Sequence, residues 1–153
     1  MRVEFVNPFV QAAREVVEYE IGGQTARGKI RVEKSAYTTD EVTAVVGVAG
    51  RVAGVVLYSM SEATARAIVS RLMAQEFPEF DSLAQSGIGE LGNVITGRAG
   101  ALLAEAGYPS NITPPALLVG KGTMVTTLDL NRLVFPLQTE VGPLEVQVVL
   151  REK

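Results

Sequence analysis

The stretch EVTAVVGVAGRVAGVVLYSM, residues 41–60, decides how this chain folds. Two valine-rich runs flank a tight turn near Gly50 and Arg51, and runs of this kind bounded by glycine read as strands. Strands joined by so short a turn pair antiparallel. Upstream, residues 24–34 read as another strand, with Ile30 and Val32 alternating. Downstream, ALLVGKG (116–122) and MVTTLDL (124–130) bracket a turn at Gly120–Gly122. LVFPLQTEV (133–141) and LEVQVVL (144–150) bracket a turn at Gly142-Pro143 and form a closing hairpin, while PSNITPP (109–115) reads as a loop.

Three helices punctuate these strands. The first starts at Asn7 as cap with Pro8 in the first helical position, where a missing N–H is no loss. Phe9, Val10, Ala13, Val16 and Val17 form its apolar stripe, and Gly22-Gly23 ends it. Ser61 caps the second, SEATARAIVSRLMAQEF (61–77), with Glu62 in the favourable first turn. The third runs from about Ser82 to Ala106, with Gly107 as its stop. The order predicts an α+β domain over residues 1–153, a mostly antiparallel sheet of about six strands flanked by three helices.

Composition removes most chemistry. A chain of 153 residues buries a real core without staples. It has no cysteine and no histidine, which excludes disulfides, thiolate catalysis, zinc–sulfur sites, Ser-His-Asp triads and histidine metal sites. With 14 basic and 17 acidic residues and no basic run, nothing draws it to nucleic acid or an anionic membrane. MRVEFVNPF lacks the apolar core of a signal peptide, and no stretch is apolar enough to insert in a membrane, so a cytoplasmic location is expected.

The third helix carries the one unusual pattern, SGIGELGNVITGRAG, residues 86–100, with five glycines. Each glycine inside a helix costs about 0.5–1 kcal/mol against alanine. On a wheel of about 100° per residue, Ile88, Leu91, Ile95, Ala99, Leu102 and Ala106 share the core face. Ser86, Glu90, Asn93, Gly97, Gly100 and Ala104 share the opposite face, with Gly89 at its border and Gly92 nearer the core. An outward face of small residues around one carboxylate and one carboxamide admits another backbone closely. Packing against a helix of the same domain or of a second copy would use it too. Glu90 and Asn93 project side by side one turn apart. A carboxamide donates to and accepts from one water at once, and a carboxylate holds a cation. The pair suits placing a water rather than deprotonating it. Phosphoryl transfer needs least else, with the magnesium and a lysine supplied by a phosphorylated partner.

Ser86, Glu90 and Asn93 stand in the spacing S-x-x-x-E-x-x-N, with Gly97 four residues on. This resembles the signature of the CheC/CheX/FliY phosphatases of bacterial chemotaxis. SGIGELGNVITG, the NPF opening and ITPPALLVGKG are most similar to the CheX branch, so the resemblance spans nearly the whole chain. It implies a CheC-like fold, a homodimer built through the sheets, and dephosphorylation of the phospho-aspartate of a CheY-type receiver domain. It also implies that Asn93 orients the attacking water and Glu90 contacts the regulator's lysine. Ser86 supports, glycines 89, 92, 97 and 100 permit close approach, and Mg²⁺ is held by the regulator, with no metal on this chain. A receiver-binding or flagellar-switch-type module without catalysis is the alternative.

Other candidates have plainer readings. EFVN (4–7) repeats the E-x-x-N spacing, but Pro8 makes Asn7 a cap, leaving one site per subunit. Gly120-Lys121-Gly122 lacks the rest of a phosphate loop and reads as a hairpin turn. Asp129 and Asn131 read as turn residues, Tyr108 as packing, and Arg98 as a solvated flank.

Overall fold

The computed structural model describes residues 3–34, 36–126 and 130–153. In chain order the elements are α1 (Val3–Ile21), β1 (Ala26–Arg27), β2 (Arg31–Glu33), β3 (Ala36–Thr38), β4 (Val42–Gly50), β5 (Val52–Met60), α2 (Glu62–Met73) and α3 (Ser82–Glu105). They continue with β6 (Ser110–Ile112), β7 (Ala116–Val119), β8 (Met124–Thr126), β9 (Arg132–Thr139) and β10 (Gly142–Glu152). The valine-rich pair β4–β5 is an antiparallel hairpin running from Val42↔Met60 to Val48↔Gly54. It lies inside an eight-stranded antiparallel sheet, along which the order is β1-β9-β10-β5-β4-β6. β2 shares the β9 edge with β1, and β7 shares the β4 edge with β6. The eight segments thus fill six positions across, which is why the sequence counts about six strands.

Period-two alternation builds the core. Val42, Ala44, Val46 and Val48 of β4, Val52, Val56, Tyr58 and Met60 of β5, and Leu144, Val146, Val148 and Leu150 of β10 join one cluster with Phe9 and Val17 of α1, Ile68 of α2 and Ile88, Ile95 and Leu103 of α3. All three helices therefore cover one face of the sheet. On the other face Tyr37 of β3 reaches across, its hydroxyl bonding the Ser59 hydroxyl and its ring lying under the Arg132 guanidinium.

Several elements differ from expectation, each for a non-local reason. α1 begins at Val3, so Pro8 lies inside the helix and Asn7 is a helical, exposed residue rather than a cap. An interior proline costs about 3 kcal/mol. Burying Phe5 and Val6, at 1% and 0% exposure, returns about 1.5–3 kcal/mol each and outweighs it. The strand expected over 24–34 splits into β1 and β2. Gly28 donates to the Pro136 carbonyl at 2.8 Å between them, and Val32 is left exposed. PSNITPP contains β6, because residues 110–112 pair with Val48–Gly50. Gly120–Gly122 does turn the chain, but it joins β7 of the large sheet to β8, which pairs with β3 in a separate two-stranded sheet. The last hairpin turns between Thr139 and Gly142, with Pro143 already paired to Gln138. Asn131 is exposed just ahead of β9, whereas Asp129 lies outside the described residues.

Candidate active site

α3 is fixed at both ends. Asp81 caps it, its carboxylate accepting from the Ala84 N–H at 2.9 Å, and Gly107 leaves it at φ +98°. Between the ends the helix lies against the chain through three of its glycines. A Cβ on Gly92 would stand 3.3 Å from the Tyr58 ring and 3.4 Å from the Ala44 methyl, so here the helix presses directly on β4 and β5. A Cβ on Gly87 would fall 2.8 Å from both Met73 Cε and Val69 Cγ1 of α2. Gly89 is buried, with Pro115 at 3.7 Å from its would-be Cβ. Gly92, expected to admit a partner, therefore serves packing within the chain, Gly87 gains a role against α2, and Gly89 lies buried beside Pro115 with only an ordinary contact for an added Cβ. Leu103 rather than Leu102 completes the buried stripe, and Ala106 is exposed.

The outward strip is as the wheel places it. Ser86, Glu90 and Gly97 are exposed and Asn93 and Gly100 half-buried. A Cβ on Gly97 would find only Ile112 Cδ1, at 3.8 Å, and one on Gly100 would find nothing within 4 Å. Ser86, Glu90 and Asn93 make no side-chain hydrogen bond or ion pair among the described residues. The positions four residues either side of Glu90 are Ser86 and Val94, so no cation on its own helix neutralises it. Pro115 and Ile112 border the strip on the side of Gly89 and Gly97. Leu72 and Met73 of α2 border it on the other side, sharing a cavity with Glu90 and Val94. Among the described residues the result is an unpartnered carboxylate and an unpartnered carboxamide, adjacent on one ridge that continues into Gly97 and Gly100.

Behind the ridge a buried hydroxyl relay holds the helix in place. The Thr96 hydroxyl donates to the Gly92 carbonyl at 2.7 Å, so the Tyr58 hydroxyl, 2.7 Å away, donates to Thr96. Burial pushes the Tyr58 phenol well above its ordinary pKa, keeping that proton in place. This relay ties β5 to the turn that carries Asn93. A threonine on the core face of a helix is its only sequence signal.

Arg98 is not merely solvated. Its Nε donates to Glu15 Oε2 at 3.0 Å and links α3 to α1. Gln11 and then Arg98 hold the Glu15 carboxyl below its ordinary pKa. Tyr108 packs as expected, its ring edge-on to Phe5 at 5.1 Å. Glu4 and Asn7 are helical and both exposed, whereas of the α3 pair Glu90 is exposed and Asn93 half-buried. Four residues beyond Asn7, however, stands Gln11, bonded to Glu15 at 2.9 Å, where the α3 motif has Gly97. Among the described residues no cluster of three or more acidic side chains could hold a metal ion, and no helix is long and apolar enough to cross a membrane.

Residues 42–138, which include the hairpin, α2, α3 and the following strands, match the family described as "Chemotaxis phosphatase CheX". The chain is 31% identical to the CheY-P phosphatase CheX of Thermotoga maritima over 122 residues, 79% of each protein. Among solved structures it superposes on the chemotaxis protein CheX of Desulfovibrio desulfuricans with a TM-score of 0.86 at 25% identity, covering 98% of this chain and 99% of that one. It superposes equally well on CheX in the CheX–CheY–BeF3–Mg²⁺ complex of Borrelia burgdorferi, with a TM-score of 0.85 at 26% identity over 99% of this chain and 100% of that one. The family match over residues 42–138 and the 31% identity to the Thermotoga protein across 79% of the chain show that this chain belongs to the chemotaxis phosphatase CheX family.

Proposed function

We propose that this chain is an aspartyl-phosphate phosphatase acting on the phosphorylated receiver domain of a CheY-type response regulator. The observation that carries the reading is the exposed ridge on which Glu90 and Asn93 stand side by side, unpartnered, next to Gly97 and Gly100. The relatives support it: the Thermotoga protein is a CheY-P phosphatase, and the Borrelia protein is solved in complex with CheY.

On this reading the Asn93 carboxamide binds the attacking water and sets it in line with the phosphorus. A neutral amide cannot take the proton, so its contribution is orientation, which for a loose phosphoryl transition state is most of what a protein supplies. The water oxygen bonds to phosphorus as the bond from phosphorus to the receiver aspartate breaks. The aspartate carboxylate leaves with the electron pair, and the water proton departs with the phosphate. Glu90 accepts a hydrogen bond from the receiver's lysine and fixes the approach. Ser86 supports the ridge one turn earlier, and Gly97 and Gly100 leave room for the receiver's loops. Mg²⁺ belongs to the receiver in this reading. The homodimer through the sheets is part of the same proposal, supported by the apolar Val32 and Val119 left exposed on the outer segments β2 and β7.

The test is phosphate release from a magnesium-loaded, phosphorylated receiver. Asn93→Ala should lower the accelerated rate by about 10²-fold or more, in the range for removing one preorganised polar group, with the circular dichroism and Tm unchanged. Binding of the receiver without acceleration by the unaltered chain would select the binding-module reading. Unfolding of Asn93→Ala would make the ridge structural.

A further inference from the structure

Beside Glu90 the surface opens into a cavity of about 200 Å³, formed where the ends of α1 and α2 meet α3. Leu72, Met73, Leu91, Val94 and Gly87 make its apolar wall, and Glu20 and Glu90 line it as well. Both carboxylates are exposed, so they ring an apolar depression with negative charge. The cavity exists for identifiable reasons. α2 stops at Met73 with Ala74 in the left-handed conformation, and Met73 and Val69 pack directly onto Gly87, so that α2 closes against α3 beneath the depression. Met73 lies at its base, a flexible thioether that adapts to what enters. Val94 stays 38% exposed at its edge, one turn beyond Glu90 on the same helix.

We propose that this cavity is a socket for one apolar side chain of the receiver domain, next to the basic group that Glu90 engages. The inference rests on the phosphatase reading. Since Glu90 itself lines the cavity, any partner whose cation meets Glu90 stands over the socket. The volume is below the roughly 300–1,000 Å³ of ordinary small-molecule sites, and it suits a single large side chain. The paired carboxylates select an occupant flanked by positive charge, and Glu20 offers a second basic residue a place to pair. The socket adds affinity that is the same before and at the transition state, so it sets KM and partner choice, not the rate of the chemical step.

The experiment is steady-state phosphate release by the full chain at several concentrations of phosphorylated receiver, with receiver affinity measured in parallel. Val94→Asp puts a third carboxylate at the edge of the socket. It should raise KM about tenfold and weaken receiver binding by the same factor, with kcat at saturation retained. Val94→Ile, which keeps the surface apolar, should hold KM near its original value. Glu20→Gln should raise KM about threefold at low salt and flatten its salt dependence. An unchanged KM in Val94→Asp, with normal turnover by the unaltered chain, overturns the socket and leaves the phosphatase reading standing. A fall in kcat at constant KM also overturns it, because the position would then act on the chemistry. If the unaltered chain binds the receiver without turnover, the phosphatase reading fails. The affinity of Val94→Asp then decides the socket alone, and an absence of receiver binding ends both.

Discussion

The two halves of α3 use glycine for opposite purposes. In the first half Gly87 and Gly92 are filled from outside. The would-be Cβ of Gly87 is 2.8 Å from α2 side chains, and that of Gly92 is 3.3 Å from the Tyr58 ring. In the second half Gly97 and Gly100 face space, with an ordinary contact at 3.8 Å for one and nothing within 4 Å for the other. All four carry the same helix penalty of about 0.5–1 kcal/mol against alanine. The first pair recovers it in packing within the chain. The second pair recovers nothing there among the described residues, which is what the proposed approach of a receiver to the ridge would account for. Glu90 and Asn93 stand where the two halves meet: anchored from below by Gly92 and the Thr96 relay, open above toward Gly100.

The sharpest way to break that comparison is to fill an inner glycine. Gly87→Val drives two methyls into Val69 and Met73. Overpacking of this kind costs about 1–3 kcal/mol, and in a chain of this size each kcal/mol lowers Tm by roughly 2–4 °C. The Met73 methyl can swing aside, but Val69 is stiff at its single χ1, so the loss should not vanish on relaxation. A thermal melt that shows no loss would mean that α2 is held less firmly against α3 than the contacts indicate, and the contrast between the halves would weaken.

How much of this was legible in the sequence follows the same division between local and distant causes. The hairpin over residues 41–60, the Ser61 cap and the Gly107 stop depend on neighbours a few positions away, and each forms as read. So does the outward strip from Ser86 to Gly100, because helical periodicity alone sets which residues share a face. What was not legible depends on residues far along the chain. Pro8 is tolerated inside α1 because Phe5 and Val6 find a core. β6 forms within a proline-bounded loop because the outer edge of β4 is there to pair with. Arg98 finds Glu15, 83 residues away. Gly92 looks like a member of a partner-facing set until the Tyr58 ring is placed against it. A wheel separates buried from exposed, but it cannot say which element does the burying.

The outer glycines give a smaller effect with the opposite sign. Gly100→Ala adds a methyl to open space in the middle of a helix, so stability should rise by about 0.5–1 kcal/mol. Gly97→Ala should behave alike, its methyl making only an ordinary contact with Ile112. If these glycines serve the receiver's approach, both variants should melt higher and yet turn over phosphorylated receiver less efficiently, chiefly through KM. This pairing of gained stability with lost function separates partner clearance from internal packing, in which the two fall together. Higher Tm with unchanged kcat/KM would leave the outer glycines without a role, and only Gly87 and Gly92 would then be explained.

The smallest expected effect is a null one, and it isolates the ridge from the rest of the reaction. The chain has no histidine or cysteine, so none of its side chains has an ordinary pKa between about 5 and 8. The resolved carboxylate shifts point further away. Thr25 holds the Glu18 carboxyl below its ordinary 4.5 by donating to it twice, from hydroxyl and backbone N–H, and Gln11 and Arg98 hold Glu15 down in the same way. A carboxyl whose folded pKa is depressed contributes stability that is fully present above its unfolded value and is lost as pH falls through the folded one. The chain's stability should therefore be flat from pH 6 to 8 and decline only below about pH 4.5, and substituting Glu18 by Gln should blunt that acid decline. Asn93 does not titrate at all, so a chain that acts by orientation adds no inflection of its own to the pH–rate profile between 6 and 8. Any inflection there should appear equally in the receiver's unassisted dephosphorylation. One that appears only with this chain present would mean that proton abstraction, not placement of water, carries the rate.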